Sequence, residues 1–469
     1  MKKYSTLFDL IHETSKNNLN RPAIKFVSNN EEVTITYEKF YEDILLVAKH
    51  ITSISEEKSH FAILSQNSYE WIVFFFAITI TGRIVVAPSP FLPIDELCTL
   101  LDYADTEFIC HDHSIDTGAI KKEMSTEIEY IDIDKSENII KKLDSAELKS
   151  VNLKFCKNPK DDAAILFTSG TTGRSKGVVL TQQNLANNAS ATDFEYEHHK
   201  VGLSILPFHH VLPLVTTILI PVALGMCNCL SESINTIFED IIRFQPYYTS
   251  IVPSMLKPIS KMLANDSSTL KDNFSLKAVA CGGAPVDEKY QILFEKIGGT
   301  LLSGYGMTET SSMVSNNYRY TKKFGSYGNV INNCEVRIVD GEIQVKGTNV
   351  MKEYYKMPEE TKNAFDGEWL KTGDIGRLDD EGFLYVTGRK KNLIITSNGE
   401  NVSPEQIESK LCSFGPIQKA KAFQKEDKIV VDLVLEKEAN EETAKELIKE
   451  YNSTQPNFRK IAKFNIVSN

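Results

Sequence analysis

The sequence predicts an α/β protein of more than one domain, and three observations carry that prediction. Helical and strand-like hydrophobic patterns alternate from the N-terminus to about residue 160, the pattern of a parallel sheet with helices packed on it. The 469 residues exceed what one compact core organises, so two or three domains are expected. An apolar run, Ala163-Ala164-Ile165-Leu166-Phe167, opens into a glycine- and hydroxyl-rich loop, and a second β-branched run, Gly177-Val178-Val179-Leu180-Thr181, follows it.

Composition narrows the function. With 42% hydrophobic and 25% charged residues the chain has the makeup of an ordinary globular protein. A net charge of −11 without a basic block argues against nucleic-acid binding. The eight cysteines form no Cys-x-x-Cys pair, and Cys227-x-Cys229 has no histidine nearby. That favours reduced thiols in a cytoplasmic protein over disulfides or zinc. Met1-Lys2-Lys3-Tyr4-Ser5 is charged but leads into no apolar run, so no signal peptide is expected. Trp71 to Ala87 is interrupted by Gly82-Arg83, and Val211 to Met226 by Pro213 and Pro221. Neither supplies an uninterrupted membrane span, and both read as buried core.

Within the first region, Phe40, Ile44, Val47 and Ile51 recur at helical spacing. His60 to Leu64 and Ile84 to Ala87 read as short strands, and the charged stretch Lys135 to Lys160 as a surface connection. The loop that follows is Thr168-Ser169-Gly170-Thr171-Thr172-Gly173-Arg174-Ser175-Lys176-Gly177. Its glycines let backbone N–H groups approach an anion, its hydroxyls can donate to phosphate oxygens, and Lys176 adds a mobile cation. No Gly-Lys-Ser/Thr closes it, so it is not the P-loop of ATPases. The composition alone also fits a plain surface loop, but the flanking strands and terminal lysine favour the anion site. Thr181 is placed to cap a helix running through Asn188.

The string from Thr168 to Gly177 resembles the phosphate-binding signature of the adenylate-forming enzymes. These include acyl-CoA synthetases, aryl-CoA ligases, luciferases and carrier-loading adenylation domains. Asn67-Ser68-Tyr69-Glu70-Trp71 and Pro93-Ile94-Asp95-Glu96-Leu97 are weakly similar to fatty acyl-CoA synthetases. The resemblance implies a large N-terminal domain, residues 1–388, with two α/β layers and a distorted β-barrel, and a small α+β domain, 389–469.

It also implies roles, residue by residue. Thr168, Ser169, Gly170, Thr171, Thr172, Gly173 and Lys176 would hold the phosphates of ATP. In Leu206-Pro207-Phe208-His209-His210-Val211, His210 matches a histidine lining the acyl pocket, although paired histidines after a proline also suit a core. Lys277 to Ala280 reads as a strand entering Cys281-Gly282-Gly283-Ala284-Pro285, and Gly282, Gly283 and Ala284 would lie beside adenine. A plain strand-to-helix turn would use the same glycines. Leu301-Leu302-Ser303-Gly304-Tyr305-Gly306-Met307-Thr308-Glu309-Thr310 is the second long match. Gly304 and Gly306 permit close backbone approach, Tyr305 offers a flat face, Thr308 can reach the α-phosphate, and Glu309, with Thr168, can hold Mg²⁺.

Alternating Val336, Ile338, Ile343 and Val345 predict antiparallel strands. Asp374, in Trp369-Leu370-Lys371-Thr372-Gly373-Asp374, resembles the ribose-binding aspartate, though turn aspartates beside glycine are common. Asp379-Asp380-Glu381-Gly382 is a turn between strands. In Thr387-Gly388-Arg389-Lys390-Lys391-Asn392, Arg389 matches a ribose- and phosphate-contacting arginine and Lys391 the hinge between domains. Asn398 to Val402 would enter the site for thioester formation. Ser403-Pro404-Glu405-Gln406 starts a helix, and Ala444, Leu447, Ile448 and Tyr451 stripe another.

The expected function is therefore ATP-dependent activation of a carboxylic acid, fatty or aryl, to acyl-AMP, followed by transfer to the thiol of CoA or phosphopantetheine. Lys176, His210, Thr308, Glu309 and Arg389 would form the catalytic set. The family closes with a Gly-Lys element whose lysine serves adenylation, and the segment Phe458 to Asn469 resembles the strand before it. The expectation is a truncated small domain with adenylation slowed ~100-fold or more. Two alternatives stay open: an enzyme that loads a dedicated acyl carrier protein, and a degenerate member that binds nucleotide or acyl-adenylate with weak adenylation.

Overall fold

Two large sheets form the body of the molecule, with their main apolar core between them. The computed structural model describes residues 3–134, 152–168, 175–191, 200–231, 233–265, 275–282, 286, 288–318, 321–395, 401–425, 428–437, 439–456 and 459–467. The seven-stranded sheet has a parallel centre, His60–Leu64, Ile84–Ala87, Phe108–His111, Glu129–Asp132 and Asp162–Thr168. Lys176–Thr181 and then Glu353–Tyr354 extend it antiparallel. The nine-stranded sheet is parallel through Pro22–Ser28, Cys227–Leu230, Val201–Ser204, Tyr248–Ile251, Ala278–Cys281 and Thr300–Tyr305. Antiparallel strands finish both of its edges.

The helix Tyr69–Ile80 explains how the two sheets are held together. Ser68 accepts a hydrogen bond from the Trp71 N–H and caps it. Every one of its residues is buried, including Phe74, Phe75 and Phe76, because it has apolar neighbours all round. The helix Tyr37–Ile54 buries Phe40, Ile44, Val47 and Ile51 as their spacing predicted. The run Val211 to Met226 is also core. It is not one helix: Val211–Pro213 and Ile220–Ala223 are α-helical and flank a π-helical turn, Leu214–Leu219. Thr181 caps Gln182–Ser190 reciprocally with Asn184.

The barrel-like piece is a five-stranded antiparallel sheet. Its hairpin of Cys334–Val339 and Glu342–Gly347 turns at Asp340 and Gly341, both with positive φ. Trp369–Leu378 pairs with that hairpin, with Phe365–Asp366 and with Leu384–Arg389. Beyond it, Ile417–Lys425, Lys428–Leu435 and Ile461–Ile466 form a three-stranded sheet. The helices Pro404–Cys412 and Glu441–Ser453 pack on it over an apolar cluster drawn entirely from Ile394 onward. The whole is a mixed α/β multidomain fold with a large N-terminal part and a small C-terminal part. Among the described residues no helix is long and apolar enough to cross a membrane. All eight cysteines are free.

Candidate active site

The site forms where strand ends from three sheets converge. Asp162–Thr168 and Lys176–Thr181 are antiparallel neighbours, with Thr168 directly opposite Lys176. Thr168 and Lys176 thus flank the glycine-rich stretch on paired strands. Ser169, Gly170, Thr171, Thr172 and Gly173 lie outside the described residues, as do Gly283 and Ala284.

Lys176 points its ammonium over the ring of Tyr354, 4.5 Å from the centroid. The Tyr354 hydroxyl donates to Glu309 Oε1 at 2.8 Å. Glu309 sits in the short helical turn Thr308–Thr310, and its own carbonyl accepts from the Met351 N–H. It is a buried carboxylate, and burial raises its pKa. Tyr354 was not anticipated from the sequence. It belongs to a two-residue strand without hydrophobic periodicity, and nothing local marks it.

The second cluster lies at the end of Thr300–Tyr305. The Tyr305 hydroxyl donates to Asp374 Oδ2 at 2.6 Å, and Arg389 Nε donates to Asp374 Oδ1 at 2.7 Å. Asp374 and Arg389 are direct partners across antiparallel strands, so the ladder itself sets the ion pair. Burial raises the Asp374 pKa, and the Tyr305 bond and the Arg389 charge work against that shift. The Thr372 hydroxyl accepts from the Asp374 N–H across Gly373, whose φ is positive. Sequence reasoning cast Asp374 as an acceptor for ribose hydroxyls and Tyr305 as a flat face. Here each Asp374 oxygen already accepts one protein donor and keeps a further lone pair for a ligand.

Two cavities meet at Gly304-Tyr305-Gly306. One contains Asp374, Arg389, Tyr327 and Gly388, and its far wall is Glu405, Gln406 and Ser409 of the small domain. The other, about 240 Å³, is lined by His210, Leu212, Thr216, Phe167, Gly282 and Thr308 among others. Gly306 is sterically required, because a Cβ there would overlap the Ser312 carbonyl. Gly282 is not, since a Cβ would only touch Leu212 at 3.5 Å. His210 lies on the cavity wall and His209 is buried beneath it, with their rings 4.2 Å apart. Burial, reinforced by His210, pushes the His209 pKa down to about 3, and burial lowers that of His210. Both imidazoles are neutral at pH 7, so the described wall carries no formal charge.

The structure thus brings together Thr168, Lys176, Thr308 and Glu309 on one side and Gly304, Tyr305, Gly306, Asp374 and Arg389 on the other, with His210 and Gly282 on the second cavity. Lys391 is exposed in the short helical turn Lys390–Asn392, outside this constellation. A lysine-bearing strand pair beside a buried carboxylate and a pocket lined by glycines fit a nucleotide-using enzyme of the adenylate-forming class.

The comparisons carry this one step further. The AMP-binding enzyme family model matches residues 11–355. The 2-succinylbenzoate–CoA ligase of Bacillus cereus is 30% identical over 415 residues, covering 83% of this chain and 80% of that protein. The corresponding Bacillus subtilis ligase is 30% identical over 418 residues, covering 85% and 82%. The solved O-succinylbenzoate CoA synthetase of Bacillus subtilis, in complex with ATP and magnesium ion, superposes with a TM-score of 0.82. That match has 26% identity and covers 98% of this chain and 95% of that one. The chain belongs to the AMP-binding enzyme family, the adenylate-forming acid–thiol ligases.

Proposed function

We propose that this chain activates a compact aromatic carboxylic acid with ATP and transfers the acyl group to CoA. The observation that carries the reading is the junction at Gly304-Tyr305-Gly306. It joins a pocket with a ribose-type carboxylate to a neutral, largely apolar cavity. At about 240 Å³ that cavity is below the usual ~300–1,000 Å³ range of ligand clefts, which favours one ring over a long fatty chain. The described wall offers His210, Thr216 and Asn316 as neutral polar groups. An acid with a neutral ring suits it better than 2-succinylbenzoate, whose second carboxylate would need a cation.

The residues divide the work. Asp374 and Arg389 hold the ribose end and orient the α-phosphate for in-line attack by the substrate carboxylate. Thr308 and Lys176 meet the charge that develops on the phosphate oxygens. Among the described residues no three His, Cys, Asp or Glu side chains cluster as a metal site. A buried carboxylate next to a phosphate loop nevertheless fits Mg²⁺, which takes one or two carboxylates and completes its shell with phosphates and water. Glu309, with Thr168, would hold it, and the cation would neutralise triphosphate charge. CoA thiol then displaces AMP. We assign the large domain to 1–388 and the small domain to 389–469, with Lys391 as the hinge that re-presents the small domain between the two steps. Free cysteines and the absence, among the described residues, of a spanning helix are the grounds for placing the enzyme in the cytoplasm.

The test is acid-dependent exchange of labelled pyrophosphate into ATP, with benzoate, anthranilate, 2-succinylbenzoate, octanoate and palmitate, then thioester formation with CoA or a phosphopantetheinylated carrier protein. Exchange with the ring acids and product with CoA are expected. Exchange with fatty acids alone refutes the aryl assignment, and product with the carrier alone refutes CoA as acceptor.

A further inference from the structure

Lys176 and Glu309 present a physical problem that Tyr354 solves. The proposed chemistry needs Lys176 free for phosphate and the Glu309 carboxylate free for a divalent cation. A lysine beside a buried carboxylate ordinarily collapses into an ion pair, and that pair would take both groups out of use. Here each engages Tyr354 instead. The ammonium rests on the ring face at 4.5 Å, and the hydroxyl at the ring's far end donates to Glu309 Oε1 at 2.8 Å.

Backbone pairing holds the tyrosine between them. Tyr354 is opposite Val178, two residues along the strand from Lys176. The Lys352 and Tyr355 N–H groups donate to the Val179 and Gly177 carbonyls. The Met351 N–H donates to the Glu309 carbonyl. The segment 351–355 is therefore fastened to the phosphate hairpin on one side and to the Glu309 turn on the other. The Thr361 hydroxyl accepts from the Tyr354 N–H and anchors it from a third direction. Tyr354 is itself buried, so its hydroxyl has no alternative partner in bulk water.

We propose that Tyr354 is a positioning residue that spaces the phosphate-loop lysine from the metal-binding carboxylate, its ring parking Lys176 and its hydroxyl aiming Glu309. The proposal rests on the ATP and Mg²⁺ assignment above.

Two variants separate the two halves of this role. Tyr354→Phe keeps the ring and removes the hydroxyl. The Mg²⁺ concentration for half-maximal pyrophosphate exchange should rise about tenfold, with the ATP KM at saturating Mg²⁺ little changed. Tyr354→Leu removes the ring as well. It should add a rise of about tenfold or more in ATP KM as Lys176 closes onto Glu309.

Mn²⁺ binding in the presence of ATP, followed by electron paramagnetic resonance, reads the metal site without any acid substrate. Weaker Mn²⁺ binding by Tyr354→Phe supports the proposal even if the acid has been misassigned. Wild-type protein that binds ATP but no Mn²⁺ would instead refute the metal assignment beneath it. A Tyr354→Phe protein with wild-type melting, Mn²⁺ affinity and Mg²⁺ dependence overturns the proposal. So does a loss of kcat with the metal dependence unmoved, which is what a merely structural tyrosine would show.

Discussion

Replacing Asp374 with alanine should cost stability by an amount that the site's geometry sets. The carboxylate accepts from the Tyr305 hydroxyl at 2.6 Å and pairs with Arg389 Nε at 2.7 Å. Tyr305 is 8% exposed, so its stranded hydroxyl loses its partner inside the protein at a cost of about 1–3 kcal/mol. The Arg389 side chain is 44% exposed and water can take over its charge, so that pair adds at most about 1 kcal/mol. Asp374→Ala should therefore lose roughly 1–4 kcal/mol in denaturant unfolding without nucleotide. A double-mutant cycle with Tyr305→Phe isolates the larger part. With the hydroxyl already gone, Asp374→Ala should cost about 1–3 kcal/mol less than in the wild type. Urea unfolding of the four proteins, followed by tryptophan fluorescence, measures this. Additivity within about 0.5 kcal/mol would show that the Tyr305–Asp374 bond does not carry the cost.

Asp374→Asn tests the electrostatics of the same residue. Burial holds the Asp374 pKa above its usual value, so the folded state binds the proton more readily than the unfolded chain. That stabilising contribution is fully present below the unfolded pKa and is lost as pH rises through the folded one, so acidification from neutral pH should improve wild type relative to Asp374→Asn in pH-resolved melting. Gly306→Ala drives a Cβ into the Ser312 carbonyl and to 3.0 Å from Met313 Cα, and ATP binding by calorimetry should weaken more than tenfold. At Gly388 an added Cβ would meet Glu405 Oε2 at 2.8 Å and Ser403 Cβ at 2.9 Å, across the proposed domain boundary. Gly388→Ala should disfavour this pose by about 1–3 kcal/mol, so pyrophosphate exchange and thioester formation from a supplied acyl-adenylate should change unequally, by roughly 5–150-fold in their ratio.

Much of this was legible because the signals were local. The apolar run before Thr168 and the glycines after Ser303 mark strands running into tight turns, and both are strands in the structure. The all-apolar stretch beginning at Trp71 read as core, and its helix is buried on every side. Val211 to Met226 was legible as core but not as three helical pieces, because a π-helical turn has no periodicity of its own in an apolar run. Tyr354 was illegible for a different reason. Its partners are 45 residues away in Glu309 and, through Lys176, on another strand of the sheet. Only the edge pairing of Glu353–Tyr354 with the phosphate hairpin brings them together, and a two-residue edge strand leaves no pattern in the sequence.

The same contrast orders the chemistry. Thr168, Gly306 and Arg389, assigned to touch the nucleotide, stand at or next to strand ends, where glycine and hydroxyl residues interrupt apolar patterns and so announce themselves, while Asp374 lies inside its strand directly after Gly373. The groups that tune them, Tyr354 on Glu309, Thr372 on the Asp374 N–H and Glu342 on the Gly373 N–H, belong to strands and look like ordinary sheet residues. Glu342 shows how far that goes. One carboxylate oxygen accepts from the Gly373 N–H at 3.1 Å, and the other takes Lys390 Nζ at 2.9 Å, so a single buried side chain ties the turn before Asp374 to the residue between Arg389 and Lys391. A rotation that begins at Lys391 can leave that clasp intact. One that begins before Lys390 would break the Lys390 pair, and because that lysine is 55% exposed and Glu342 keeps the Gly373 N–H, the cost is at most about 1 kcal/mol. On the hinge proposed at Lys391, the clasp would favour a rotation that starts after Lys390 and so leaves Arg389 on Asp374.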